Sequence, residues 1–190
     1  MTAKEVLAAY ERTGGVLKGH FLLTSGRHSD TYMQSAKLFV HPDEAEKIVA
    51  ALAEKLAPFK PDIVVSPAVG GIILGYELAR QLGVTNIFAE RENGNMTLRR
   101  GFELNKGARV VVAEDVVTTG GSVREVIDLC RSLGADVVAC ASVVDRSNGK
   151  VEFPVPYVPL LSMEVTSWEP DECPLCKAGA PAPYKPGSRK

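Results

Sequence analysis

Apolar and polar positions alternate with changing period along this chain. Residues 4–12 read as an amphipathic helix, and "GHFLLTSG" and "DTYMQSAKLF" read as short strands joined by the polar turn "SGRHS". That pair predicts a small N-terminal hood. His41 and Pro42 then open a helix, with Pro42 in its first turn, Asp43 and Glu44 favouring its positive end, and Pro58 beyond its last turn. From residue 60 the pattern becomes regular. The apolar runs "DIVVSP", "NIFAE", "RVVVAED" and "DVVACASVVD" have strand length, and "GGIILGYELARQLG" and "GSVREVIDLCRSLG" have helical period. Such alternation predicts an α/β fold, an open and mostly parallel sheet flanked by helices on both faces. The expected organisation is one domain over residues 1–190: helix and hood at 1–40, α/β core at 60–146, and an extended tail rich in Pro, Gly and Lys at 169–190.

In open α/β sheets, ligands bind beyond the carboxyl ends of the strands. The stretches "SPAVGG", "ERENGN", "EDVVTTGGS" and "DRSNG" all fall there. The third carries the most chemistry. The backbone amides of residues 117–122, with flexible glycines and the start of a helix, predict a concave site for a phosphate monoester, to which Thr118, Thr119 and Ser122 add hydroxyls. Glu114 and Asp115 just upstream would repel that phosphate unless something lies between. A ribose fits, its 2- and 3-hydroxyls donating to the carboxylates while its 5-phosphate rests on Val116, Val117, Gly120 and Gly121. Mg2+, a cation that prefers oxygen ligands, would be shared between the ribose hydroxyls and a diphosphate, with Glu114 and Asp115 as its possible protein ligands. No Lys follows the glycines, as a Walker loop requires, and the GxGxxG dinucleotide turn is absent.

Composition narrows the partners. The formal net charge of the 190 residues is -1, so nothing global points to nucleic acid or an anionic membrane. No apolar run approaches the roughly 18 residues of a span, and the start of the chain lacks signal-peptide sectors, which places the expected protein in the cytoplasm. Of the four cysteines, Cys130 and Cys140 sit at apolar helix and strand positions and read as core. Cys173 and Cys176, in "CPLC", have the spacing of zinc ligands. His20, His28 and His41 lie far upstream without paired spacing, so the pair reads as a C-terminal turn or an opportunistic disulfide ahead of a metal site.

The segment "VVVAEDVVTTGGS" closely resembles the phosphoribosyl-diphosphate signature of type I phosphoribosyltransferases. Together with "GHFLLTSGRHSDTYMQSAKL", "SPAVGGIILGYELARQLG", "AERENGNMTLRRGFEL" and "CPLCKAGAPAPYKPGSR", it resembles the orotate phosphoribosyltransferase family over nearly the whole chain. The resemblance implies the type I fold and transfer of ribose 5-phosphate from phosphoribosyl diphosphate to orotate, giving orotidine 5-phosphate and diphosphate in pyrimidine synthesis. It also implies a homodimer in which Arg91, on a mobile lid loop, reaches the neighbouring active site and acts there with Glu114 and Asp115. Arg99 and Arg100, beyond the polar stretch "ENGNMTL", would close on the diphosphate or stand as solvated surface arginines. Orotate carries a carboxylate, for which Arg146 offers a planar cation, unless a salt bridge with Asp145 or another acid engages it. Thr118 would meet the base, and Tyr32 and Met33 would either stack on it or pack within the hood. Many relatives place lysines where this chain has Thr24, Gly70, Glu92 and Asn93, which leaves Arg99 and Arg100 as the replacement for the lid lysines. Two other functions share the cradle: transfer to another base, which would need a pocket without a carboxylate partner, and a non-catalytic phosphoribosyl diphosphate sensor. A sensor that regulates transcription would need a DNA-reading helix or a basic stripe, and the sequence has neither.

Overall fold

The computed structural model describes residues 1–23 and 25–186. Its centre is a six-stranded sheet in the order β5-β4-β3-β6-β7-β8, made of β3 (Ile63–Pro67), β4 (Thr85–Glu92), β5 (Asn95–Leu98), β6 (Arg109–Val117), β7 (Asp136–Asp145) and β8 (Tyr157–Ser162). All neighbours run parallel except β4 and β5. Alternate residues of each central strand therefore enter different cores. Val64, Val111 and Ala113 pack with helices α1 (Ala3–Arg12), α3 (Pro42–Leu56) and α4 (Gly71–Leu82), whereas Val65, Val110 and Val112 pack with α5 (Gly121–Ser132). Each such fully buried valine contributes on the order of 1.5–3 kcal/mol. Cys130 and Cys140 are wholly buried in the second core, and burial pushes both thiols up to about 12. No helix among the described residues is long and apolar enough to cross a membrane.

Four local expectations need correcting. The "SAKLF" half of the second hood strand is helical: β1 (Val16–Leu22) and β2 (His28–Met33) pair antiparallel, and the chain then turns through the short α2 (Ser35–Leu38). "ERENGN" is not an open loop. β4 runs on to Glu92, and Asn93 and Gly94, both at positive φ, make a two-residue turn into β5. The strand β8 was hidden by Pro154, Pro156 and Pro159; as the edge strand it tolerates a residue without an N–H. Finally, the "CPLC" turn, where α6 (Pro174–Lys177) begins, carries free thiols, and the fold returns His20 and His28 to it. Spacing along the chain missed that meeting because the hairpin places residues 20 and 28 on adjacent strands, over 140 residues before the cysteines. Thr24 and the last four residues of the tail lie outside the described residues.

Candidate active site

A cleft of about 630 Å³ opens at the carboxyl ends of β3, β6 and β7. Residues Glu114 to Ser122 line one wall, Ala68, Val69 and Gly70 another, and Tyr32, Met33, Leu22 and Leu23 of the hood cover it, with Arg146 also lining it. Arg91, Arg99 and Arg100 do not line it.

The carboxylates do not terminate a strand as the sequence suggested. β6 continues through Val117, which still pairs with Asp145 of β7, so Glu114 and Asp115 are half-buried within the last turns of the ladder. A rigid strand thus fixes both acids. Gly70 shows how tightly Asp115 is held: a Cβ on Gly70 would stand 2.7 Å from its Oδ1 and 3.1 Å from its Oδ2. The missing side chain at residue 70 is what lets the 68–71 loop lie against that carboxylate. A lysine there would displace Asp115 or the loop.

Beyond Val117 the chain bends through the exposed Thr118 and Thr119 to Gly120, the N-cap of α5, at φ 75. Only glycine suits this position, since a Cβ would also meet Phe153 and Val151 at 2.8 Å. No side chain caps the first turn of α5, and no acidic residue lies in it. Amides with a helix dipole behind them therefore border the cleft, as an anion site requires. Arg124 braces this loop from outside, donating to the carbonyls of Thr119 at 2.7 Å and Glu152 at 2.9 Å while its guanidinium lies over Phe153. Nothing in the sequence singled out Arg124; its role depends on a fold contact between α5 and the 151–153 segment.

Arg146 follows β7, and its backbone N–H donates to Val117 O at 2.8 Å, which ties the tips of β6 and β7 together. Asp145 is not its salt-bridge partner. That carboxylate is fully buried and accepts from the amides of Ser147 and Gly149 and the hydroxyl of Ser147, which folds "DRSNG" into a tight turn. The guanidinium of Arg146 lies 5.6 Å from the Tyr32 ring centroid, and its buried Nε has no hydrogen-bond partner. Burial pulls this guanidinium below its usual range, and Tyr32 opposes that only in part. Burial likewise pushes the Tyr32 phenol up, against the pull of Arg146. A partly desolvated cation with an unpartnered donor beside the cleft favours an anion there. Tyr32 is also tilted against Phe21, while Met33 is 2% exposed, so the hood core holds both side chains at the cleft wall.

The remaining arginines lie on the β4–β5 hairpin and its continuation. Arg91 pairs with Glu125 at 2.7 Å and donates to Gly94 O; Arg100 pairs with Glu90 and lies over Phe88; Arg99 stands 3.3 Å from Glu92. The Arg99 pair, exposed on both sides, is worth little, whereas Arg100 holds Glu90 through two bonds at 2.7 and 2.8 Å.

Comparison with known proteins agrees with this architecture. Residues 37–170 match the family described as phosphoribosyl transferase domain. The orotate phosphoribosyltransferase of Caldanaerobacter subterraneus subsp. tengcongensis is 54% identical over 190 residues, covering 100% of both chains. That of a Thermoanaerobacter species is 55% identical, again over 100% of both chains. The crystal structure of orotate phosphoribosyltransferase from Aeropyrum pernix superposes with a TM-score of 0.71 at 26% identity, covering 86% of this chain and 94% of that one.

Proposed function

The chain belongs to the phosphoribosyltransferase family, and from that premise we infer that it transfers ribose 5-phosphate from phosphoribosyl diphosphate to orotate, yielding orotidine 5-phosphate and diphosphate. The observation that carries the choice of base is Arg146, a half-buried arginine whose buried Nε has no partner, on the same cleft as the carboxylate pair and the phosphate loop. A purine offers no carboxylate to that cation; orotate does.

Cleavage of the anomeric bond builds positive charge on the ribose and negative charge on the departing diphosphate, so positioning and electrostatics supply the catalysis. Glu114 and Asp115, fixed in β6, accept from the ribose hydroxyls and place negative charge beside the developing cation. Residues Val116 to Ser122 hold the 5-phosphate, and the amides of the 68–71 loop receive diphosphate without a side chain. Arg146 orients the orotate carboxylate, Thr118 donates to the base, and Tyr32 and Met33 form the wall that excludes water from it. The donor set fits Mg2+: Glu114 and Asp115 offer only oxygens, half-buried on the cleft. When bound there the ion would neutralise diphosphate charge.

A homodimer in the cytoplasm completes the reading. Val69, Ile73 and Tyr76 are 69%, 54% and 64% exposed on α4 and the loop before it, and Val69 and Ile73 line the cleft. Such exposed apolar side chains suit a second copy, whose β4–β5 hairpin would bring Arg91, Arg99 and Arg100 to the cleft across the interface.

The deciding experiment follows the ultraviolet absorbance of orotate with purified protein, magnesium and phosphoribosyl diphosphate, with uracil, adenine and hypoxanthine in parallel. Loss of the orotate signal only when both other components are present is expected. Product from another base and none from orotate would remove Arg146 from its role. Saturable binding of phosphoribosyl diphosphate with no turnover of any base would favour the sensor.

A further inference from the structure

Away from the cleft, His20, His28, Cys173 and Cys176 bring one donor atom each to a common point, all four within 4.8 Å of one another. None of the four lines the cleft. His20 lies in a bulge of β1, where residues 19 and 20 face the single residue Asp30, and His28 opens β2. The cysteines flank the start of α6.

Four of the six donor separations match those of a tetrahedral metal site, and the other two lie within 4.8 Å. His20 Nε2 stands 3.1 Å from His28 Nδ1, 3.5 Å from Cys173 Sγ and 3.6 Å from Cys176 Sγ, and Cys176 Sγ stands 3.4 Å from His28 Nδ1. Four ligands at ordinary Zn–N and Zn–S lengths around a tetrahedral ion lie about 3.3 Å apart for two nitrogens and about 3.5 Å apart for nitrogen and sulfur. The outer contacts agree. His20 Nδ1 lies 2.8 Å from Pro181 O; a carbonyl only accepts, so Nδ1 carries the proton and Nε2 turns its lone pair toward the cluster.

We propose that these four side chains form a structural zinc site that fastens the hood to the C-terminal tail. Two sulfurs and two imidazole nitrogens select zinc over magnesium, which takes oxygen, so this site is chemically separate from any magnesium in the cleft. Four protein ligands leave no open position, which excludes a catalytic role for the ion. Binding converts two thiols to thiolates, with both protons released to solvent. The backbone already prepares the join: His28 and Trp168 exchange both backbone hydrogen bonds at 2.8 and 2.9 Å, and Tyr184 bonds to His20 and Leu22 of β1 at 2.8 Å. The hood strands between these points carry Leu22, Tyr32 and Met33 to the cleft, so the ion would set how firmly the base is covered.

The test uses the full-length, tag-free protein purified with a thiol reductant and dialysed. Elemental analysis should find about one zinc per chain. Cobalt added to the chelator-stripped protein should give the intense visible bands of a tetrahedral thiolate site. Cys176→Ser, at an exposed ligand, and His20→Gln should each lower zinc content to less than about one tenth. Chelation should speed hydrogen exchange across residues 16–33 and 166–184 and leave β6 and β7 protected. Zinc below about one tenth per chain after incubation with the ion, an octahedral cobalt spectrum, or full metal content in both variants would overturn the proposal. None of these readouts depends on turnover, so a failed orotate assay leaves them intact.

Discussion

Replacing Arg146 by Met separates a binding role from a structural one, because the two predict opposite signs for stability. The guanidinium borders the cleft with its Nε buried and unpartnered. Two charge-assisted bonds to a carboxylate are worth about 1.5–3 kcal/mol each before the cost of desolvating the ligand. A net loss of about 3–4 kcal/mol lowers kcat/KM for orotate by about 10²–10³-fold. In the ligand-free protein the same change removes an uncompensated buried group worth about 1–3 kcal/mol of penalty. It also removes a cation–ring contact with Tyr32 worth about 0.5–1 kcal/mol. The balance is a gain of about 1 kcal/mol, or a rise in Tm of about 2–4 °C for a chain of this size. Initial rates at varied orotate, with uracil as the carboxylate-free comparison, and thermal unfolding without substrates measure both halves. Discrimination between the two bases should collapse in R146M. A fall in Tm accompanied by equal losses for both bases would show that Arg146 is structural. A kcat/KM within about threefold of the parent would show that the carboxylate binds elsewhere.

Other changes probe the remaining parts. Asp115→Asn keeps the shape of the strand and removes a charge beside the developing ribose cation, so kcat should fall by about 10²-fold or more with the unfolding curve unmoved; a parental rate would make the pair structural. Gly70→Ala has no backbone penalty, since Gly70 is at φ -59, but its methyl would meet Asp115 Oδ1 at 2.7 Å. Displacing that carboxylate should cost about tenfold in kcat/KM, and rates unchanged within error would show that the loop yields freely. Changing Arg99 and Arg100 together to Ala should raise the KM for phosphoribosyl diphosphate more than that for orotate; unaltered turnover would return both to the solvated surface. Cys130 and Cys140, with thiols pushed up to about 12, should resist alkylation at pH 8 until the protein unfolds, whereas Cys176 should react in the chelated protein. Thiol counts by mass spectrometry decide this.

The parts of the site legible in the sequence are those whose chemistry is local. "EDVVTTGGS" states its own geometry: a strand that delivers two acids, hydroxyl residues, and a glycine that must take positive φ before a helix. The fold places those same residues around one cleft. The four-strand, two-helix alternation was legible for the same reason, because each buried strand is a continuous apolar run with turn residues at both ends. Elements defined by a partner were not. β8 is a strand because β7 lies beside it, and its prolines read as loop until that pairing is known. Arg124 braces the loop in part through the 151–153 segment, which lies far along the chain, whereas the Asn93-Gly94 turn chemistry by itself indicates a hairpin.

The same distinction applies to the histidines. Zinc ligands recognised from spacing come in two local pairs, each on one turn or hairpin, and "CPLC" is one such pair. The second is also local, His20 and His28 being joined by one hairpin, but its seven-residue interval runs from a bulge inside one strand to the start of the next and matches no standard ligand spacing. A strand prediction with register would have placed them side by side: Leu22 pairs with His28, and the bulge before Phe21 adds the residue that shifts His20. What the sequence could not contain is the distance between the two pairs. That depends on Trp168 and Tyr184 adding themselves to opposite edges of the hood, which carries "CPLC" across it. The hood is a two-stranded ribbon, and such ribbons are at best marginal alone in water. Cross-linking it to the tail at four side chains would therefore stabilise a wall of the cleft that the six-stranded sheet does not itself hold.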